Sequence, residues 1–482
     1  MFGAALEPQP LKRRLKPELT LFDSATIVAG SMIGSGIFIV SADIARQVES
    51  PAAILLVWIV SGVMTVAGAL AYAELAAMMP EAGGQYVYLR EVYGGLWAFL
   101  FGWTFLLVIQ TGTIAAVAVA FARFAGVMWP ALGSELWFGI GGVGLSGERL
   151  GAILVIIVLT WINLRGLELG KLVQNGFTTA KILSLMFIVA VGCLFAPNPA
   201  AVSLNFGSAQ SFFGTAQWLS LPFAAAFGAA MVGVLFSADA WANVTFTAAE
   251  VKNPRRDLPL ALLGGAAIVV LLYVLTNLSY LFQLPAGGSA DSVTIFGRGI
   301  AHAPSDRVAS AAMEIVWGGT GAAITAIVVM ISTFGCANGM ILTGARVVYA
   351  MSRDRVFFRA AGELNQASAP AYALAIQAVW SCVLALSGTY SDLLDYVIFA
   401  QLLFYILTVG AVFLLRVKMP DAPRPYRAWG YPWVPALYIV AAAAMTIDLL
   451  IMKPGYTWPG LLIVASGVPI YRFVTRERST AR

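Results

Sequence analysis

The chain has 482 residues, of which 60% are hydrophobic and only 11% charged, and its mean hydropathy is +0.83. Soluble domains carry roughly 25% charged residues, so a large water-soluble core is excluded and bilayer must replace water as the main solvent. The net charge of +5 calls for no nucleic-acid partner, because basic loops on one side of a membrane produce the same excess.

Residues 1–20 carry the basic cluster Lys12, Arg13, Arg14 and Lys16. They show no apolar stretch ending in a small-residue cleavage site, so the first span is expected to stay in the mature protein. About twenty apolar residues cross a hydrocarbon layer roughly 30 Å thick. On that basis twelve spans are predicted, at 22–48, 52–79, 94–124, 148–164, 173–196, 219–248, 258–283, 315–351, 371–389, 392–416, 432–452 and 457–474. The fourth is the shortest; the eighth is long enough to tilt or to project beyond the bilayer.

The basic residues test this count independently. With the amino terminus inside, 21 of the 29 Lys and Arg residues fall in predicted cytoplasmic segments or at the cytoplasmic ends of spans and 6 on the outer side or at outer span ends, while Lys181 and Arg346 lie deeper within spans. Removing or adding one helix would invert every later loop and destroy that asymmetry. Twelve spans with both termini cytoplasmic is therefore the expectation.

Two spans are interrupted. Span 1 reads LFDSATIVAGSMIGSGIFIVSADIA, with Gly30, Gly34 and Gly36 near its middle; span 6 reads GAAMVGVLFSADAWANVTFTAAEV, with Asp239 among small residues and Trp241 just beyond. Glycine weakens a helix by about 1 kcal/mol per residue, so both segments can unwind at mid-bilayer. Small residues four apart, such as Gly30 and Gly34, also serve close helix packing. The pairing favours a site, because spans 1 and 6 are corresponding positions of two five-helix halves and such paired interruptions mark transporter binding sites.

Enzyme chemistry finds little support. The single histidine, His302, lies in a loop, and Cys193, Cys336 and Cys382 sit in separate apolar runs, so no metal set, disulfide framework or nucleophile pair is indicated. No cofactor is expected. A channel remains an alternative, since broken helices also line pores.

The same interrupted segments resemble the amino acid–polyamine–organocation superfamily, and within it the L-type amino acid transporters. The resemblance is carried by GSMIGSGIF at 30–38 and AEVKNPRRDLP at 249–259, which closes span 6. It extends to AYAELAAMMPEAGGQYVYLREVYG at 71–94, LWAFLFGW at 96–103 and TTAKILSL at 178–185. It implies an all-α membrane protein of twelve helices, with a 5+5 inverted repeat containing broken helices 1 and 6, plus two peripheral helices. The corresponding division is a cytoplasmic tail at 1–20, a first repeat at 21–196, an external loop at 197–218, a second repeat at 219–416, helices 11 and 12 at 417–474, and a tail at 475–482.

The resemblance further implies a sodium-independent carrier of L-amino acids in a bacterial inner membrane, exchanging neutral amino acids, with proton-coupled symport of cationic amino acids or polyamines as the alternative. Candidate substrate-binding residues are Met32, Ile33, Gly34, Ser35, Gly36, Phe236, Ser237 and Asp239; candidate coupling or gating residues are Lys181, Phe236 and Trp241. Unwinding at Ser35 and Gly36 would offer N–H groups at a positive helix end to the substrate carboxylate. Carbonyls near Met32 and Phe236 would receive the ammonium, and Phe236 either gates the site or is an ordinary core aromatic. Lys181 is expected to contact the broken part of span 1 where sodium-coupled members of the fold hold a cation.

Asp239 reads a substrate's positive charge, takes part in proton coupling, or caps the second half of span 6; a carboxylate within a span costs at least about 2.5 kcal/mol and usually faces a cavity. The family's frequent glycine at Asp239, and the Gly-Trp-Asn after it, are replaced here by Asp239, Ala240, Trp241 and Ala242. Glu74, Asn338 and Thr343 are read as helix–helix hydrogen-bonding groups, and Glu250 with Lys252, Arg255 and Arg256 as a cytoplasmic latch or solvated loop. The expected partners are an amino acid and the lipid bilayer. Residues 125–150 contain no cysteine, so the disulfide-linked heavy subunit of animal relatives is not expected.

Overall fold

The computed structural model describes residues 15–140, 143–214, 218–387 and 390–480; Lys12, Arg13, Arg14 and Arg482 lie outside them. The protein is built almost entirely of helices, and the one described sheet is a hairpin pairing Leu136–Ile140 with Val143–Ser146. It is a multi-pass membrane protein. Eleven described helices are long and apolar enough to cross a membrane, and the ninth predicted span appears as Ala371–Ser387, at 17 residues slightly shorter.

Local chemistry sets the helix ends. Thr20 and Asp23 form a reciprocal capping box that starts span 1. Ser50 caps span 2 ahead of Pro51, and Ser220 caps span 6 one residue before a leucine–proline start. Span 8 departs from expectation: it runs Gly319–Arg353, and residues 315–317 belong to a separate helix, Val308–Trp317. Gly318 divides them at φ +59°, a left-handed conformation that costs glycine nothing and turns the chain. Thirty-five helical residues rise about 52 Å at 1.5 Å each, so span 8 projects well beyond the hydrocarbon layer.

The broken span 1 lies inside the bundle, and span 6 meets it there with its second half, Trp241–Glu250. Span 1 packs on spans 5, 7 and 8, and span 7 on span 2. The apolar window of span 1 is 89% buried within the protein, against 28% for span 11 and 17% for span 12. The last two helices are therefore peripheral, span 11 leaning on spans 2, 6 and 10, and span 12 on spans 3 and 10. Span 12 extends as Pro454–Thr480, past the expected limit at 474.

Candidate functional site

Span 1 is helical over Leu21–Met32, leaves helical geometry at Ile33 and Gly34, and resumes at Gly36. The unwound stretch thus lies slightly earlier than expected: Ser35 already has helical angles, and Gly36 is the first helical residue of the second half. That half continues through Val40 into Ser41–Val48. Phe38 N–H donates to the Ser35 carbonyl at 3.1 Å, but the N–H groups of Gly36 and Ile37 precede any acceptor of their own helix, so the positive end of a half-helix points into the break.

Span 6 breaks differently. Leu221–Ser237 is α-helical; Ala238 and Asp239 turn the chain, Ala240 sits at φ +66°, and Trp241–Glu250 continues as a tighter 3₁₀ helix. At Ala240 an L-residue occupies the left-handed region where the family's glycine would be unstrained.

The two breaks touch. A β-carbon on Gly36 would lie 2.0 Å from Ser237 Oγ and 3.0 Å from Ser237 Cα. Met32, Ile33, Gly34, Ser35, Gly36, Phe236 and Ser237 are all buried around this contact. Ser237 Oγ donates to the Gly233 carbonyl at 2.7 Å, which holds it against its own helix.

Lys181 is 0% exposed, and its ammonium donates to the carbonyls of Gly30 (2.7 Å), Ile33 (2.7 Å) and Ser332 (3.1 Å). A buried cation requires such compensation. The Ser332 hydroxyl lies 3.1 Å from the Ile33 carbonyl and 3.0 Å from that of Gly34, and the Cys336 thiol donates to Ser31 O. Spans 5 and 8 together thus satisfy the carbonyls that the unwound segment of span 1 releases.

Asp239 and Trp241 are placed otherwise. The Asp239 carboxylate accepts from the Tyr405 hydroxyl at 2.7 Å. Trp241 stacks on Tyr405 at 5.2 Å and meets Tyr72 edge-on at 4.8 Å. Both line a cavity between spans 2, 6, 10 and 11 with Thr65, Gln401, Tyr405 and Tyr438. The side-chain oxygen of Gln401 is buried with no hydrogen-bond partner among the described residues.

Several contributors escaped the sequence reading. Tyr273 in span 7 donates toward the carbonyls of Met32 (2.9 Å) and Ser237 (3.0 Å), one from each broken helix. Its signal was available: Tyr273, Thr276, Asn277 and Tyr280 form a polar stripe at helical spacing within an otherwise apolar span. Tyr405 lies on a similar stripe with Gln401 and Thr408, whereas Ser332 and its neighbour Thr333 stand in an apolar stretch and carried a weaker signal.

Other polar groups resolve as follows. Asn338 bonds Asn163, Gly170 and Gln174, tying span 8 to spans 4 and 5, whereas Thr343 bonds the Gly339 carbonyl of its own helix. Glu74 is an ion-pair residue, accepting from Arg416 at 2.6 Å and from the Ala428 N–H at 2.7 Å, with Arg424 3.4 Å away. Glu250 forms a bidentate pair with Arg346 at 2.8 and 3.0 Å, both side chains 2% exposed. The latch partner is thus Arg346 of span 8 instead of the neighbouring Lys252, Arg255 or Arg256.

This geometry is accompanied by a match over residues 19–470 to the family model described as amino acid permease. The chain belongs to the amino acid permease family. Its relatives include the serine/threonine exchanger SteT of Bacillus subtilis, 28% identical over 470 residues that cover 97% of this chain and 98% of that protein. The large neutral amino acids transporter small subunit 2 of Rattus norvegicus is 30% identical over 469 residues, 95% of this chain and 80% of that one. The human b(0,+)-type amino acid transporter 1 is 28% identical over 468 residues, 96% and 89% of the two chains. These permeases are membrane transporters and not enzymes.

Proposed function

We propose that the chain is a sodium-independent secondary transporter of L-amino acids, an exchanger of neutral ones working by alternating access. It resides in a bacterial inner membrane with both termini cytoplasmic. The observation that carries the reading is the contact of the two breaks at Gly36 and Ser237, where a positive half-helix end and released carbonyls converge within a buried site. An amino acid's carboxylate and ammonium each need a partner once water is removed. The half-helix starting at Gly36 suits the carboxylate, and the carbonyls of Met32 and the Phe236–Ser237 turn suit the ammonium.

Sodium independence rests on Lys181. Its ammonium already occupies the oxygen set of Gly30, Ile33 and Ser332, and a monovalent metal there would have to displace a covalently attached cation. Residues 21–196 and 219–416 act as the two inverted halves, joined by the loop at 197–218, with the helices of 417–474 outside them and tails at 1–20 and 475–482. Phe236 packs over the bound substrate and opens with span 6. No disulfide-linked heavy subunit takes part, since residues 125–150 lack cysteine.

A second reading is favoured by the cavity beside Asp239. Its lining includes two acceptor groups, the Asp239 carboxylate, bonded to Tyr405, and the Gln401 oxygen, which has no partner among the described residues; these suit a substrate side chain bearing hydrogen-bond donors. A cationic amino acid or polyamine carried by proton symport fits that chemistry.

Uptake into proteoliposomes, preloaded or empty, with and without a pH gradient, tests both. Dependence on internal amino acid supports exchange, and dependence on the gradient supports symport. Uptake that requires sodium, or that does not saturate, refutes the reading.

A further inference from the structure

Glu74 of span 2 is buried, and its carboxylate gathers donors from the end of span 10 and the loop after it. Arg416 reaches it with two nitrogens at 2.6 and 3.0 Å, Arg424 stands 3.4 Å away, and the Ala428 N–H donates at 2.7 Å. Arg416 also lies 3.8 Å over the Tyr431 ring. The Arg424 guanidinium folds the loop on itself, donating to the carbonyls of Leu415 (3.1 Å), Met419 (2.8 Å), Pro420 (2.9 Å) and Ala422 (3.0 Å). A loop with no helix or strand of its own is thereby fixed to the bundle by charge-assisted hydrogen bonds, which are roughly twice as strong as neutral ones.

The fixed loop presents large aromatic and basic side chains outward. Trp429 and Trp433 are 73% and 75% exposed, and Arg427 stands exposed beside them. Lys418, at the end of span 10, is exposed too and donates to the Val92 carbonyl at 3.0 Å. Span 12 reaches the same turn: the Tyr471 hydroxyl lies 2.7 Å from the place a β-carbon on Gly95 would take, and the next residues, Arg472 and Phe473, are exposed. Glu74 answers only one of the two arginine charges it holds, and Asp421 is the one acid in the loop at 419–432. With Lys418, Arg427 and Arg472 added, the face keeps a surplus of positive charge.

The ends of spans 10, 11 and 12 pack together, and the apolar windows of spans 11 and 12 are largely unburied by protein. Trp433 heads a row at helical spacing with Leu437 and Val440, both 66% exposed, which runs along the lipid side of span 11. A headgroup layer therefore passes this face wherever the protein sits in a bilayer. Tryptophan rings settle at headgroup level, and each basic residue beside a span end strengthens the attraction of anionic lipid about fivefold.

We propose that Lys418, Arg427 and Arg472, with Trp429, Trp433 and Phe473, bind the headgroups of anionic phospholipids, and that the Glu74 ion pairs hold this face in shape for them. The bilayer is favoured over a protein partner because the row headed by Trp433 continues the lipid-facing surface of its own span. The assignment goes beyond transport and holds whichever amino acid is carried; the orientation given above puts the face in the cytoplasmic leaflet.

Energy transfer from tryptophan to pyrene-labelled phosphatidylglycerol or phosphatidylcholine, measured on the purified full chain in detergent, tests this. Wild type is expected to bind phosphatidylglycerol at least about tenfold more tightly than phosphatidylcholine, with the preference shrinking in high salt. The triple variant Lys418→Gln, Arg427→Gln, Arg472→Gln should lose at least about tenfold in phosphatidylglycerol affinity and keep its phosphatidylcholine affinity. A second triple variant, Arg353→Gln, Arg355→Gln, Arg359→Gln, removes the same charge from exposed positions at and after the end of span 8 and should stay within about twofold of wild type. Glu74→Gln separates a built face from bare charge: it adds net positive charge, yet it should weaken phosphatidylglycerol binding because Arg416, Arg424 and Ala428 lose their common anchor. Equal binding of the two lipids by wild type, equal losses in the two triple variants, or tighter binding by Glu74→Gln overturns the proposal. If Glu74→Gln does not fold, the two triple variants decide. Competition by free glycerol phosphate as effective as that by unlabelled phosphatidylglycerol assigns the face to a soluble phosphate and overturns the lipid assignment. Binding is read without transport, so a wild type that carries no amino acid refutes the proposed function and leaves this face untouched.

Discussion

Ser237 Cα stands 3.0 Å from the position a β-carbon on Gly36 would take, and its Oγ only 2.0 Å away. The hydroxyl could rotate aside, but the backbone atom cannot. Gly36→Ala therefore forces the two broken helices apart at the centre of the site. Exchange should fall to background in Gly36→Ala and Gly36→Leu proteoliposomes while the protein still inserts and purifies. A fully active Gly36→Leu would reject this location for the substrate.

Lys181 supplies three charge-assisted hydrogen bonds to main-chain oxygens. Losing a donor to buried groups costs roughly 1–3 kcal/mol, so Lys181→Met should lower the thermal midpoint in detergent and reduce transport at least about tenfold. Lys181→Arg should not restore it, because a planar guanidinium cannot present its donors in the compact array of an ammonium. Wild-type uptake should be the same in sodium and choline buffers.

Ala240 carries backbone strain that glycine would relieve. A left-handed conformation costs an L-residue about 1–2 kcal/mol. Ala240→Gly should keep transport and raise or preserve the melting temperature. Ala240→Val, branched at the β-carbon with φ +66°, should lower it clearly, as thermal unfolding monitored by tryptophan fluorescence would report.

Asp239→Asn keeps an oxygen able to accept from Tyr405 and removes only the charge. Competition between lysine and leucine during uptake should therefore shift toward leucine by about tenfold to a hundredfold if the carboxylate reads substrate charge, the size expected when one buried charged contact of about 1.5–3 kcal/mol is lost. An unchanged substrate profile and pH dependence would leave the carboxylate a structural partner of Tyr405.

Glu250 and Arg346 are buried together, so removing one partner strands the other. Arg346→Met or Glu250→Leu alone should destabilise by about 3–5 kcal/mol. The double variant should lose less than either single change predicts, because both charges leave at once. Glu250 lies where the entering chain is pinned: the Glu18 and Leu19 N–H groups donate to its carbonyl at 2.8 Å. Latch variants should therefore also change the transport rate.

Apolar run lengths and the Lys/Arg distribution by themselves determined the number and order of the spans, because crossing a bilayer imposes a length on each helix and insertion imposes a charge bias on each loop. Gly34 and Gly36 likewise marked the break in helix 1 and Asp239 among its small neighbours that in helix 6, while the short motifs at 30–38 and 249–259 marked to which family the chain is similar. The partners of those breaks were decided only by tertiary structure. Which carbonyls Lys181 reaches, that Tyr273 spans two helices, that Asp239 meets Tyr405, and that Glu250 pairs with Arg346 and not its basic neighbours all depend on how helices rotate about their axes. Hydropathy is nearly uniform around a helix buried in both lipid and protein, so a single sequence carries little information about that rotation. Even the break was displaced for this reason: glycine permits unwinding at several adjacent residues, and the carbonyl acceptors required by Lys181, Ser332 and Tyr273 select Ile33 and Gly34.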